Sequence, residues 1–255
     1  MRYMLLIYSP EDSWTPEQWK ECVETSSGIC QELAEKGQLI AASPLHPVAT
    51  ATTIRVREGK AIVTAGPFAE TIEQLGGFYV IDVQHLDEAM QIATRLPPVQ
   101  KGVVEIRPMM KINGLPPEQF NTDPAQASWQ QYMFLCYDDE EAWAKAGKAA
   151  HEAAIEEAVS LVTRIDAQGM FISASPLHPS TTATSVRVRN GHRSITDGPF
   201  AETHEVLGGY YVIWAESQEH AISLASEHSG ARVGSVEVRQ VFDVRTLNLS
   251  TTAQQ

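Results

Sequence analysis

The sequence is short of cysteine, of basic residues and of long apolar runs, and each shortage removes a class of protein. Its three cysteines, Cys22, Cys30 and Cys136, are odd in number and include no Cys-x-x-Cys pair. Neither a disulfide framework nor a zinc site is therefore expected, and buried free thiols are. Nineteen basic residues stand against 32 acidic ones, a net charge of −13. Such a field repels phosphate backbones and anionic lipid headgroups alike, so nucleic acid and membrane are not expected as partners. No apolar stretch approaches the roughly 18 residues of a membrane span. The opening MRYMLLIYSPEDSW turns acidic too early for a signal peptide, and a cytoplasmic chain is the expectation. Gly-x-Ser-x-Gly, a P-loop, Gly-x-Gly-x-x-Gly and His-Glu-x-x-His are all missing, which removes the common hydrolase, nucleotide and zinc-protease readings. His151, His192, His220 and His228 follow no ligand spacing, so neither metal nor cofactor is expected.

What is present is a repeat. ASPLHP runs from Ala42 to Pro47 and again from Ala174 to Pro179, and GPFAET follows it both times. The matched histidines, His46 and His178, are 132 residues apart, and the GPF and double-glycine motifs keep that offset. From Gly37 to Ile81 the copies agree at 29 of 45 positions, which marks a duplicated domain. The first strands match at an offset of 129, Tyr3 with Tyr132, so the helical regions differ by three residues. Two copies are too few for a solenoid, and a closed pair is expected. The Pro-, Asn- and Gln-rich stretch between them, Lys111 to Ser128, shows no apolar period and reads as a linker. The expected division is repeat 1 over 1–112, linker 113–128, repeat 2 over 129–246 and a tail 247–255.

Within a copy, RYMLLIY is apolar without alternation, as in a strand covered on both faces. Thr15-Pro16-Glu17 opens an amphipathic helix that Gly37 stops. QLIAAS and TATTIRVREG read as strands, the second with Ile54 and Val56 inward and Arg55 and Arg57 outward, and Glu58-Gly59 supplies a turn. The pairs Arg55/Arg57 and Arg187/Arg189 read as a solvated strand face or as receivers of a small anion. GGFYVIDV, a short helix and GVVEIRPMM complete the order β-α-β-β-β-α-β, close to the split βαβ ferredoxin-like plan. Helices cover only one sheet face. The second apolar face needs cover too, and the other copy's sheet is the obvious source.

At GPFAET with LGGFYVI and GVVEIRP, and again at TDGPFAETHEVLGGYYVI with GSVEVRQV, the chain resembles the DGPF group of the YCII-related superfamily over nearly its whole length. The resemblance implies an α+β fold in which two ferredoxin-like βαββαβ repeats pack sheet to sheet as a pseudo-dimeric α/β barrel. It also implies a small-molecule ligand. A few members resemble lyases such as dehydrochlorinases, and DGPF members often accompany extracytoplasmic-function sigma factors. Two departures stand out. The superfamily's proposed His-Asp dyad takes its histidine from the first helix, eleven positions before the glycine that ends it, where this chain has Ser26 and Ala158. The lysine that usually follows AET is replaced by Ile72 and His204.

The candidate catalytic set is His178, on a Pro-flanked loop after a strand, with Asp197 and Glu202 flanking the second GPF turn. If they meet at the mouth of an interdomain cavity, a carboxylate orients the imidazole for proton transfer. His46, Glu70, Arg187 and His204 are candidate ligand contacts. Because Ala65 stands where Asp197 does in repeat 2, the equivalent site in repeat 1 is expected to be degenerate. The bland readings are that Asp-Gly-Pro is a turn in its own right, that Leu-His-Pro is a rigid surface loop, and that Gly208-Gly209 lets a backbone pass closely. Two functions compete. One is a cofactor-independent lyase or isomerase working by proton transfer in an interdomain cavity. The other is a non-catalytic ligand-binding or regulatory module with a protein partner such as a sigma factor. The chain is expected to be a monomer with pseudo-twofold symmetry or a homodimer.

Overall fold

Residues 1–68, 71–120, 122–201 and 203–244 are described by the structure, a computed structural model. Each repeat opens with a strand buried on both faces, β1 (Arg2–Ser9) and β7 (Gln130–Asp138). The lack of alternation has a simple cause. Tyr3, Leu5 and Ile7 share a core with Ile29, Leu33 and Leu96 on the helix side, whereas Met4, Leu6 and Tyr8 share one with Phe134, Tyr210 and Val238 of repeat 2.

The first helix, α1 (Pro16–Glu35), starts at a capping box in which Gln18 N donates to Thr15 Oγ1 and Thr15 N to Gln18 Oε1, both at 3.3 Å. Repeat 1 continues through β2 (Leu39–Pro44), β3 (Thr52–Arg57), β4 (Lys60–Ala65), β5 (Gln74–Asp82), α2 (Leu86–Arg95) and β6 (Val103–Pro108). Repeat 2 places α3 (Glu140–Ala146) and α4 (Lys148–Asp166) where repeat 1 has α1, then β8 (Phe171–Pro176), β9 (Thr184–Arg189), β10 (His192–Asp197) and β11 (Val206–Ala215). It ends with α5 (Gln218–Ser226), α6 (Gly230–Val233) and β12 (Ser235–Gln240).

Each repeat thus has one strand more than its sequence pattern suggests, β4 or β10. Positive φ at Glu58 and Gly59, and at Asn190 and Gly191, forms two-residue turns that send β3 and β9 straight back as hairpins. The returning strands are exposed along their whole length and carry no inward apolar face, which is why the pattern does not announce them.

The two antiparallel sheets are ordered β10-β9-β6-β1-β5-β2 and β4-β3-β12-β7-β11-β8. Each hairpin has therefore crossed over: β3–β4 of repeat 1 extends the sheet of repeat 2, and β9–β10 of repeat 2 extends that of repeat 1. The arginines read as outward pairs fasten this exchange. Arg57 donates to the carbonyls of Ala231, Arg232 and Gly234, and Arg189 to those of Val99, Gln100 and Gly102. Arg55 faces Glu205 at 3.4 Å, and Arg187 grips Glu73 with both Nη atoms. All four guanidinium groups are thus engaged by protein groups.

Residues 110–120 are tied to repeat 2 and to β1. Met110 N donates to Pro176 O and Gln119 N to Ile172 O, while Glu118 joins Ser173 Oγ to Arg2. Leu115 and Phe120 pack against the shared core. Among the described residues no helix is long and apolar enough to cross a membrane.

Candidate functional site

The repeated motifs converge on one pseudo-symmetric centre between the sheets. β6 and β12 each carry a buried Glu-x-Arg pair, Glu105/Arg107 and Glu237/Arg239, with side chains at most 4% exposed. The GPF loop of the opposite repeat supplies a backbone amide to each carboxylate: Phe200 N to Glu105 Oε2 at 3.2 Å and Phe68 N to Glu237 Oε2 at 3.1 Å. The His-Pro loop of the opposite repeat supplies a carbonyl to each guanidinium, His178 O to Arg107 Nη2 at 2.6 Å and His46 O to Arg239 Nη2 at 2.5 Å. Phe68 stacks on Tyr137 and Phe200 tilts over Tyr8. Burial pushes both glutamates up from the usual carboxylate range, with the neighbouring arginines and amides pulling the other way. The space left among these groups is about 50 Å³. ASPLHP and GPF are thus written twice because each is half of a reciprocal clasp, to which they contribute backbone amides and carbonyls together with the rings of Phe68 and Phe200.

The side chains singled out from the sequence are spread around this clasp. His178 is half-buried, and no hydrogen bond or ion pair joins its imidazole to Asp197. Asp197 ends β10 exposed, paired through the backbone with Thr184. Glu202 and Glu70 lie outside the described residues. His46 packs against Phe242, and burial followed by the nearby Arg239 lowers its pKa. Arg187 is held by Glu73, and His204, 87% exposed, stands 3.9 Å from Asp139.

A much larger space lies elsewhere, on the helix side of repeat 2. A cleft of about 620 Å³ opens between α3–α4 and the sheet. Ala154, Ile155, Ala158, Val159 and Val162 on one face of α4 form an apolar wall. His151 stands two turns before Ala158 on that face, its ring 5.4 Å from Trp143 of α3. Gly147, with φ of +84°, ends α3 and allows α4 to set off in a new direction. This break falls in the helical region that is three residues longer than its repeat 1 counterpart.

At the end of β7, Asp138 faces the cleft. Its Oδ1 is buried and has no hydrogen-bond partner. Burial is the main reason its pKa is raised, with Glu205 and Glu140 adding to the rise and a hydrogen bond from the Trp143 side chain and the charge of His151 opposing it. Room for the carboxylate is made by glycine: a Cβ on Gly208 would stand 2.4 Å from Oδ2, and one on Gly230 3.4 Å from Oδ1. Gly209 brings β11 close to β8, where a Cβ would lie 3.1 Å from Ser175 O, so the double glycine serves close approach. His228 is fully buried beside Cys136 (3.9 Å) and Tyr211, and Gly230 N donates to its Nδ1 at 3.0 Å. That bond leaves the proton of the neutral ring on Nε2. Burial lowers its pKa to about 4, with Arg232 adding to the effect.

Sequence reasoning left this site out because Asp138, His151 and His228 come from three separated segments. One signal was available. At matched positions repeat 1 has Ser9 for Asp138, Ile7 for Cys136 and Leu96 for His228, so polar groups replace apolar or smaller ones only in repeat 2. Among the described residues, no group of three or more His, Cys, Asp or Glu side chains is arranged to hold a metal ion.

Comparison with known proteins agrees with this architecture. The model of the YCII-related domain matches twice, over residues 1–113 and 130–245, and the chain belongs to that family. Membership of that family supports a YCII-like small-molecule-binding protein. An uncharacterised protein of Rhizobium meliloti (strain 1021) is 38% identical over 114 residues, 43% of this chain and 92% of that relative. That relative is therefore about one repeat long.

Proposed function

We propose that this protein binds a small, largely apolar molecule in the repeat 2 cleft, with Asp138 as the polar anchor. One observation carries the reading: a buried carboxylate, one oxygen of which has no hydrogen-bond partner, in the wall of a cleft of about 620 Å³. A buried polar atom without a partner costs free energy, and a ligand that supplies the partner recovers it. The volume and mainly apolar lining suit a small organic ligand.

A lyase or isomerase activity is a second reading, supported by the raised carboxyl of Asp138 with His151 beside it. In that case the proton transfer expected at His178 and Asp197 takes place at Asp138, with His151 passing the proton to solvent. The regulatory alternative, a sensor for a partner such as a sigma factor, uses the same cleft. Its moving part is α3, which carries Trp143 and is hinged at Gly147.

A fragment library screened by NMR separates these readings, with the Trp143 indole N–H as reporter and Trp143→Phe to assign it. At least one fragment is expected to shift that signal in the wild type and to shift it far less in Asp138→Asn. Accelerated uptake of solvent deuterium into a bound fragment supports catalysis, and binding without uptake supports the sensor. Fragments that perturb only residues outside the cleft overturn the assignment.

A further inference from the structure

Several of the carboxylates drawn into this fold are matched to arginine. Glu105 has Arg107 and Glu237 has Arg239. Glu73 has Arg187, Glu118 has Arg2 and Glu205 has Arg55. Glu140 in the cleft wall is satisfied by Ser180, whose N and Oγ donate to its two oxygens at 2.7 and 2.8 Å. No lysine or arginine pairs with Asp138 among the described residues; the Trp143 side chain donates to its carboxyl, and Oδ1 is buried with no hydrogen-bond partner.

The groups acting on Asp138 give the sign of what is missing. Glu205 and Glu140 both add negative potential at its carboxyl, and the histidine that opposes them, His151, is on an exposed stretch of α4. Lys148 also lines the cleft, but it is 87% exposed and turned to Glu152 at 3.4 Å. His228, on the opposite wall, is held neutral by burial. The cleft is thus apolar over most of its surface, negative at its polar end, and bounded there by the rings of Trp143 and Tyr211. Such an end repels an anion, and it satisfies a neutral donor only in part. A protonated amine supplies the donor and the charge together, and an aromatic face adds attraction for a cation.

Resting on the reading of the cleft as the ligand site, we infer that its ligands are small apolar amines, bound as ammonium ions with the nitrogen on the Asp138 carboxylate and the hydrocarbon body along α4. The specificity is for charge and donor at one end, combined with an uncharged body.

Four probes of one shape test this: benzylamine, benzyl alcohol, toluene and benzoate, each titrated into the full chain by calorimetry and NMR. Benzylamine is expected to bind at least about tenfold tighter than benzyl alcohol, a ratio equal to ~1.4 kcal/mol. Toluene should be weaker still, and benzoate should not bind. Asp138→Ser, which installs the residue found at the same place in repeat 1, should erase the preference for the amine while leaving toluene unchanged. Asp138→Asn keeps the shape without the charge, and it should bring benzylamine down to the level of the alcohol. Equal affinity for benzylamine and benzyl alcohol in the wild type, or a preference for benzoate, overturns the amine assignment while leaving the cleft as a binding site. If none of the four shifts the Trp143 signal, the cleft reading fails and the amine assignment with it.

Discussion

Repeat 1 closes what repeat 2 leaves open, with the same strands and nearly the same helices. At the end of β1, Ser9 Oγ accepts from Trp14 Nε1 at 3.1 Å, and Lys101 lies over the Trp14 ring while its Nζ reaches Ser13 O and Gln18 Oε1. Ile7 and Leu96 sit behind it in a packed core with Ile29, Leu33 and Tyr79. At the matched places repeat 2 has Asp138 with Trp143, Val233 in place of Lys101, and Cys136 with His228 in the wall. The helix that seals repeat 1 is split in repeat 2 at Gly147. Duplication allowed this division: the clasp at the centre needs both copies alike, whereas the helix side of each copy can change alone. Among the described residues, repeat 1 is packed on its helix side, and repeat 2 carries a cleft there.

Separating the copies is the most severe test of the symmetric half of this comparison. A fragment ending at residue 112 keeps the β3–β4 hairpin but loses the sheet it belongs to, and it loses β9–β10 from the edge of β6. Its Met4, Leu6 and Tyr8 face also loses its cover. Two such fragments can restore every one of these contacts by exchanging hairpins, as the two repeats do. Sedimentation should show a dimer or aggregate and no folded monomer. A stable monomeric fragment would show that the exchange is dispensable.

His228 gives the next largest effect, and it belongs to repeat 2 alone. Its folded-state pKa, about 4, lies below the ordinary 6.5, so the folded protein resists protonation while the unfolded chain accepts it. The stability tied to neutral His228 is fully present above pH 6.5 and is lost progressively as pH falls towards 4. The whole change is about 3 kcal/mol. His228→Leu, which copies Leu96, should remove that part of the pH dependence in urea melts between pH 7 and pH 4. The same comparison cancels the opposing contributions of Glu105, Glu237 and Asp138, which both proteins share. An unchanged slope in His228→Leu would show that His228 is solvated.

Much of this molecule was legible in the residues. The offset of 132 marked the duplication, and unalternating strands such as RYMLLIY required cover on both faces. The exchange of hairpins was not legible, because Ile54 and Val186 present the same apolar side to either sheet. Only the register of β3 on β12 and of β9 on β6 decides it. The motifs drew attention to the imidazole of His178 and the carboxylate of Asp197, since a sequence shows side chains. What hydrogen-bonds to the buried Glu-x-Arg pairs at His178, at Phe200 and at their counterparts is the peptide group, which every residue has. The cleft escaped for the opposite reason: its residues form no motif, and only subtraction of one repeat from the other picks them out.

The smallest expected effect concerns Asp197 and Ala65, the one difference directly before the two GPF motifs. Both residues end exposed strands, and the turn that follows is held identically in each copy. Gly66 N donates to Ala51 O and Gly198 N to Ala183 O, each at 2.8 Å. Thr53 Oγ1 then donates to Gly66 O at 2.8 Å and Ser185 Oγ to Gly198 O at 2.9 Å. No hydrogen bond in either turn requires the Asp197 carboxylate, because the matching turn forms with alanine. Asp197→Ala and Ala65→Asp should therefore each change stability by no more than about 0.5 kcal/mol. Neither should alter benzylamine binding at Asp138, nor any turnover found there. Calorimetric titration of both variants beside Asp138→Ser measures this directly. A loss of binding in Asp197→Ala as large as that in Asp138→Ser would move the ligand from the cleft to the loop of His178, and the division of labour between the repeats would have to be drawn there.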